Sequence, residues 1–312
     1  MDTHLSVLLN ETIEGLAIKP GGIYVDGTLG RGGHSEEVLK RLTTGRLIGF
    51  DQDQDAINAC TKRFEPYQGK VTLVKDNFRN LSKDLPGLGI AGIDGLTLDL
   101  GVSSPMFDKA DRGFSYQLDG RLDMRMDQSQ SLSAYEVVNT YSEEKLTEVI
   151  RDYGEEPFAK MIARKIVKER EKQPIETTLQ LVEVIKEALP AKVKKAKGHP
   201  AKRTFQAIRI EVNDELNSLE QVLISALDLI KPEGRIAIIS FQSLEDRIVK
   251  KVFKDATTID PILKHLPLKE SELPQARFRL ITHKPIEAGE SELENNHRSH
   301  SAKLRIIERN KL

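Results

Sequence analysis

Tryptophan is absent from this chain of 312 residues, and aromatic residues make up only 5% of it. No aromatic-heavy binding face can be built from so few rings. Cysteine occurs once, at Cys60, which excludes an intrachain disulfide and fits a reducing compartment. No apolar run approaches membrane-spanning length. A basic n-region is missing, and Val7-Leu8-Leu9 is too short for a signal sequence core. We therefore expect a cytoplasmic protein with no membrane association. An excess of one charge is also lacking: 47 Lys and Arg against 48 Asp and Glu leave a net charge of −1. Overall charge thus points to no polyanionic partner, and local charge must be read instead. Internal repeats and low-complexity tracts are absent too. What remains is a charge-rich chain, long enough to bury a full core and to form more than one domain.

The first hundred residues alternate strand and helix signals. Strands are expected at Ile23–Val25, Arg46–Phe50, Val71–Val74 and Gly95–Leu98, with helices at Ser35–Leu42 and Ala56–Phe64. This alternation argues for an α/β fold with a parallel sheet covered on both faces. It then breaks, because the next convincing strand is Arg235–Phe241, after the 134 residues from Gly101 to Gly234. A βαβ unit needs only about thirty residues or somewhat more. The last part of the gap reads as a crossover helix with Leu216, Leu219, Val222, Leu223, Leu227 and Ile230 on one side, closed by Pro232 and Gly234. The rest reads as a helical insertion over 110–212, within an α/β domain made of 1–109 and 213–312. Its helices are expected at Ala134–Thr140, Glu143–Tyr153, Pro157–Glu171 and Thr177–Leu189, with Phe158, Met161, Ile162 and Ile166 as one core stripe. Pro157 suits a first helical turn, and Thr177 an N-cap. Ser243–Asp246 has N-cap chemistry for a helix through Val252. Phe278–Thr282 and Ala302–Ile307 are a closing antiparallel strand pair, separated by a polar loop at Glu287–Asn296.

The densest motif is Asp26-Gly27-Thr28-Leu29-Gly30-Arg31-Gly32-Gly33-His34, between the first strand and the first helix. Glycines permit sharp turns and close ligand approach, and the helix N-terminus leaves N–H groups free. A plain tight turn would show the same composition. Dinucleotide binding requires Gly-x-Gly-x-x-Gly, yet the third position counted from Gly30 is Ser35. A phosphate loop requires a terminal Gly-Lys-Ser/Thr, which is missing. The loop is similar instead to the first motif of class I methyltransferases, an acid followed by Gly-x-Gly: Asp26, Gly30 and Gly32. Its ligand there, S-adenosylmethionine, has a sulfonium, an amino-acid end, a ribose and an adenine. Asp51, 21 residues beyond Gly30, can accept the ribose hydroxyls or simply cap the next helix. Phe78 can lie against adenine, with Asp76 or Asn77 at its edge. Gly32 and Gly33 admit the amino-acid end.

Asp99-Leu100-Gly101-Val102-Ser103-Ser104-Pro105 follows the fourth strand. Ser103-Ser104-Pro105 is a relative of the Asn/Asp/Ser-Pro-Pro-aromatic motif of amino-group methyltransferases. An exocyclic base amine is a poor nucleophile, because its lone pair is delocalised into the ring. Acceptors that hold its N–H groups direct the lone pair at the methyl, so positioning and electrostatics supply most of the rate. Asp99 and Ser103–Pro105 are the candidates for that role, although Asp99 could equally cap its loop or bind cofactor.

These segments, together with Arg112-Gly113-Phe114-Ser115, Leu122–Asp127, Tyr153–Glu156, Thr204–Ile210, Val212–Leu216, Ser243–Arg247 and Ser301–Arg305, occur in the order found in the MraW/RsmH family of bacterial ribosomal RNA methyltransferases. The resemblance covers nearly the whole chain. It implies a class I, Rossmann-like methyltransferase sheet with an inserted helical RNA-recognition domain, and S-adenosylmethionine-dependent methylation of N4 of a cytidine in small-subunit ribosomal RNA, free or within the assembled subunit. It places cofactor contacts on Gly32, Gly33, His34, Asp51, Phe78 and Asp99, and on a position that is usually Gln but is Met106 here. Two further departures are Gln242, where the family has His, and His300, where Arg is frequent. Gln242 cannot exchange a proton, and His300 would hold a phosphate more weakly at neutral pH.

Seven Lys or Arg residues and no acid lie between Pro190 and Arg209: Lys192, Lys194, Lys195, Lys197, Lys202, Arg203 and Arg209. Such a run suits phosphate contacts, and a solvated charged loop would look alike. Arg112, Phe114, Arg121 and Arg125 are candidates to frame a pocket for a base taken out of its stack, or to brace a rigid loop through ion pairs such as Arg125 with Asp123 or Asp127. His297 and His300 have no third partner in sequence, so no metal is expected. A nicotinamide-dependent oxidoreductase is disfavoured by the missing third glycine. A non-enzymatic RNA-binding assembly factor on the same fold is the remaining alternative.

Overall fold

A computed structural model describes residues 6–194, 198–259 and 276–311. The chain divides into two compact units, one formed by Met1–Gly101 with Leu216–Leu312 and the other by Val102–Glu215. The first unit begins with α1 (Leu9–Gly15), β1 (Ile23–Asp26), α2 (Gly33–Arg41), β2 (Arg46–Asp51), α3 (Gln54–Arg63), β3 (Val71–Lys75), α4 (Leu81–Gly87) and β4 (Ile93–Asp99). The second unit holds α5 (Ser104–Asp108), α6 (Ala134–Thr140), α7 (Glu143–Gly154), α8 (Ala159–Arg170), α9 (Thr178–Ala188), α10 (Ala191–Lys194) and α11 (Lys202–Asn213). The chain then returns to the first unit through α12 (Glu215–Leu229), β5 (Ile230–Ser240), α13 (Ser243–Ala256), β6 (Phe278–Leu280), α14 (Glu290–Asn295) and β7 (Lys303–Arg309).

The strands form one seven-stranded sheet in the order β3-β2-β1-β4-β5-β7-β6. β1 to β5 run parallel, and β7 lies antiparallel to both β5 and β6. This is a mixed α/β sheet, closed by the antiparallel pair that the sequence anticipates. Alternation along each strand sends neighbours to opposite faces. Val25, Ile48, Phe50, Leu96 and Leu98 face one core, with Leu81, Leu85, Leu219, Val222 and Phe253 from α4, α12 and α13. Tyr24, Leu47, Ala237, Ile239 and Leu304 face the other, with Ile13, Val38, Leu39 and Cys60 from α1, α2 and α3. The strand order reverses between β1 and β4, the position where such sheets open a crevice beyond their carboxyl ends.

Two local expectations change. β5 begins at Ile230 rather than Arg235, and a register shift between Ile93 and Gly95 accommodates the extra residues. Glu233 takes φ 63° there, and Pro232, which has no N–H for a ladder, is tolerated at such an irregularity. The polar stretch 287–296 contains α14, because Glu290 and Glu292 favour a helix N-terminus and the Glu292 carboxylate accepts the N–H of Leu8 at 2.9 Å.

The helical unit has its own core, in which Leu146, Ile150, Ile162, Ile166, Leu181, Ile185, Phe205 and Ile208 are buried. Capping boxes start α6 (Ser133 with Glu136) and α9 (Thr177 with Gln180). Met161 is 47% exposed and so lies off the expected stripe. Phe158 is the N-cap of α8, and Pro157 precedes the first turn instead of opening it. Residues 102–109, expected with the sheet, contribute Met106 to this core.

Candidate active site

The Asp26–His34 loop leaves β1 still knitted to its neighbours. Gly27 N–H donates to the Thr97 carbonyl at 3.0 Å, and Leu29 N–H to the Phe50 carbonyl at 3.0 Å. The Thr28 hydroxyl accepts the Asp99 N–H at 2.6 Å, and Asp51 Oδ2 accepts the Gly30 N–H at 2.8 Å. The loop is thereby pinned between the carboxyl ends of β2 and β4, which brings Asp26, Asp51 and Asp99 around it. Gly32 is the N-cap of α2 with φ 77°. A Cβ there would sit 2.5 Å from the Phe64 ring and 2.9 Å from Cys60 Sγ, so both conformation and packing demand glycine. Phe78 opens a single 3-10 turn after Asn77 and lies beside Gly27, where an added Cβ would meet its own Cβ at 3.1 Å.

The three carboxylates are not equivalent. Asp26 Oδ1 accepts the Thr28 N–H at 3.1 Å, and Oδ2 accepts the Ser35 hydroxyl at 2.7 Å. Ser35 is the residue that breaks the dinucleotide spacing, and its hydroxyl is used to hold the strand-end acid. Asp51 accepts N–H groups on both oxygens, from Gly30 and from Asp53 at 2.8 Å. Among the described residues Asp99 Oδ1 is buried without a hydrogen-bond partner, although the side chain as a whole is 28% exposed. Its Oδ2 lies 3.9 Å from Nδ1 of His34, whose Nε2 is 3.1 Å from the Val7 carbonyl. Burial raises all three carboxyls, those of Asp51 and Asp99 to about 6. Clustered carboxylates make this floor attractive to a cationic ligand.

The arginines of the loop differ in their surroundings: Arg121 is exposed, whereas Arg112 and Arg125 have partners within the loop. Arg112 is 3% exposed and donates to the Arg125 and Met126 carbonyls at 3.0 and 3.3 Å. Arg125 makes a two-pronged pair with Asp123 at 2.9 and 2.7 Å and donates to the Gln130 carbonyl at 2.7 Å. Both brace the loop, as in the second of the two readings the sequence allowed. Arg209 is likewise paired with Glu215 at 2.7 and 2.9 Å. Lys192, Lys202 and Arg203 are exposed; Arg203 also donates to the Glu155 carbonyl at 2.9 Å. Lys195 and Lys197 lie outside the described residues, as do the side chains of Lys194, Ser104 and His297. Pro105 sits at the start of α5, after the extended N-cap Ser103. Met106 is 5% exposed within the helical core, and its N–H donates to the Ser103 carbonyl at 3.1 Å; its side chain therefore serves packing.

Gln242 is the N-cap of α13, where Glu245 Oε2 accepts the N–H groups of Phe241 and Gln242 at 2.8 and 3.1 Å. Asp246 in the same turn pairs with Arg305 of β7 at 2.6 and 3.2 Å. This segment clamps a helix start to the sheet. His300 is exposed, and among the described residues no group of three His, Cys, Asp or Glu could hold a metal ion. The parts that sequence reasoning missed are Thr28, Ser35 and Val7. Each acts through a tertiary hydrogen bond that has no periodic signature.

The chain is 55% identical over 308 residues to the protein named ribosomal RNA small subunit methyltransferase H of Limosilactobacillus fermentum, covering 98% of each chain. It is 56% identical to the protein of that name from Oceanobacillus iheyensis, covering 99% of this chain and 95% of the other. A solved rRNA methylase structure from Streptococcus thermophilus superposes with a TM-score of 0.43 and 11% identity, covering 97% of this chain and 94% of the other. The MraW methylase profile matches residues 1–310, and the chain belongs to that family.

Proposed function

We propose that this protein methylates N4 of a cytidine in small-subunit ribosomal RNA, with S-adenosylmethionine as methyl donor. Family membership and the names of relatives above 50% identity support the reaction class and the RNA. The observation that carries the site assignment is the buried Oδ1 of Asp99 beside the glycine loop, which has no hydrogen-bond partner among the described residues. A buried acceptor without a donor is costly, and a ligand N–H is the natural remedy. The donor set fits the cofactor: N–H groups at the α2 N-terminus (Gly32, Gly33, His34) suit a carboxylate, the carboxylate floor suits cationic groups, Asp51 suits ribose hydroxyls and Phe78 an adenine face. When bound, S-adenosylmethionine supplies an already activated methyl on a sulfonium.

The protein's own task is then to hold and orient. Asp26, through Thr28 and Ser35, sets the loop. Asp99 together with Ser103, Ser104 and Pro105 is assigned to accept the amine's N–H groups and aim its lone pair. Extrusion of the base from its stack is part of the same reading, since an in-line approach to a stacked amine is blocked. In the helical unit, which we read as the RNA-recognition domain, Lys192, Lys202 and Arg203 are the exposed cations suited to phosphates, with Lys194 and Lys195 assigned alongside them from the sequence run. The deciding experiment incubates the protein and labelled S-adenosylmethionine with unmodified small subunits, and separately with free RNA, then separates the nucleosides. Label in N4-methylcytidine is expected; protein bound to subunits with no label transferred would point to an assembly factor instead.

A further inference from the structure

We propose that Ser6 is a further cofactor-binding residue: its hydroxyl donates a hydrogen bond to the carboxylate of the cofactor's amino-acid end, beside the first turn of α2. The inference rests on the cofactor reading above and adds a donor that the glycine motif does not contain.

Just before α1 the chain forms a short strap, Ser6-Val7-Leu8. Val7 and Leu8 are 5% and 0% exposed and share a core with Val38 and Leu39 of α2. Leu8 stands at φ 48° and ψ 40°. Leucine rarely adopts this left-handed conformation, which persists only where the surroundings impose it. Here they do. The Leu8 N–H donates to Glu292 Oε1 at 2.9 Å, and the Leu8 carbonyl accepts the Thr12 N–H at 2.9 Å. The Val7 carbonyl lies 3.1 Å from His34 Nε2. The strap is thus tied to α14, α1 and α2.

This path lays Ser6 on Gly33. A Cβ on Gly33 would stand 2.0 Å from Ser6 Oγ and 3.2 Å from Ser6 Cβ. Gly33 is not among the residues with positive φ, so its backbone does not demand glycine. The room taken by the Ser6 hydroxyl does. Along a helix each Cα–Cβ bond tilts toward the N-terminus. An atom in the Cβ position of Gly33, the first residue of α2, therefore lies at the mouth of the helix. There the opening N–H groups have no carbonyl behind them, and the N-cap Gly32 has no side chain to satisfy them. Ser6 is half-buried, so a ligand held at this turn can meet its hydroxyl.

A second feature calls for a ligand at the same turn. Nδ1 of His34, the second residue of α2, lies 3.9 Å from Asp99 Oδ2. The other oxygen, Oδ1, is buried with no hydrogen-bond partner among the described residues. Donors from Ser6 and α2, with an acceptor close by, are the complement of an ammonium–carboxylate pair. A carboxylate that takes N–H and O–H donors together is held by charge-assisted hydrogen bonds.

The test is calorimetric titration of the intact protein, without RNA, with S-adenosylmethionine and with its decarboxylated counterpart. The second compound keeps the sulfonium, amine, ribose and adenine and lacks the carboxylate alone. The parent should bind S-adenosylmethionine the more tightly. Ser6→Ala should weaken S-adenosylmethionine about tenfold, the worth of one hydrogen bond to a charged group. Its affinity for the decarboxylated compound should stay unchanged, which also reports an intact fold. Equal weakening of both compounds assigns Ser6 to packing and overturns the inference. So does a Ser6→Ala variant that binds S-adenosylmethionine like the parent, or a parent indifferent to the carboxylate. A parent that binds neither compound overturns the cofactor reading and this inference together.

Discussion

Buried charge is handled in opposite ways by the two units of this chain. In the helical unit Asp123 meets Arg125 in a two-pronged pair. Burial alone would raise its carboxyl, but the hydrogen bonds and charge of Arg125 outweigh that and hold it below the usual range. In the α/β unit, Asp51 and Asp99 sit at strand ends where no cation among the described residues pairs with them as Arg125 does with Asp123, and burial raises both to about 6. A paired buried charge specifies structure, whereas one left short of partners marks a place where a ligand completes the arrangement. The same contrast separates Arg112 and Arg125, which are engaged within their own loop, from Lys202 and Arg203, which are exposed.

Substitutions can break this contrast at several strengths. The largest effect is expected from Asp99→Asn, which keeps shape but removes the charge; methyl transfer to small subunits should fall about a hundredfold or more. Arg125→Ala leaves Asp123 buried and uncompensated and should cost about 3–5 kcal/mol, read as loss of the helical unit's denaturation transition. If that variant is as stable as the parent, the structural reading of the arginine is wrong. Gly32→Ala forces a side chain into φ 77° and against Phe64. It should destabilise by about 1–3 kcal/mol and weaken S-adenosylhomocysteine binding. Lys202→Glu with Arg203→Glu should leave the melting temperature nearly unchanged, while the slope of log affinity for ribosomal RNA against log salt drops by about one per lost phosphate contact.

The smallest effect carries the comparison furthest. A carboxyl raised to about 6 in the folded chain, from an ordinary 3.8, binds more protons folded than unfolded between those values. Stability from this group is therefore present at acid pH and lost as pH rises through 6. Asp99→Asn removes that penalty, so the cofactor-free variant should melt a few degrees higher at pH 7 than the parent, with the gap closing toward pH 4. A lower melting temperature at pH 7 would show that Asp99 has a stabilising partner after all.

Most of the sheet was legible because parallel strands bury both faces and therefore read as apolar runs, as in Leu47–Phe50. The strand-end acids were legible because the alternation of strands and helices places Asp26, Asp51 and Asp99 at equivalent positions. α11 was hidden, since its basic start masks an apolar side of Phe205, Ile208 and Val212. α14 was hidden as well, since it is short and acidic and its Glu292 finds its partner, the Leu8 N–H, at the other end of the chain.

Sequence alone determined the class of sheet, the long insertion after the fourth strand and the identity of the strand-end residues, because periodicity and turn chemistry are local. Only the tertiary structure decided which charges are spent. It turned Arg112, Arg125 and Arg209 inward, seated Met106 in a core, gave Ser35 to Asp26, and set His34 beside Asp99. Whether a charge is satisfied depends on partners brought near by folding, and no spacing along the chain encodes that.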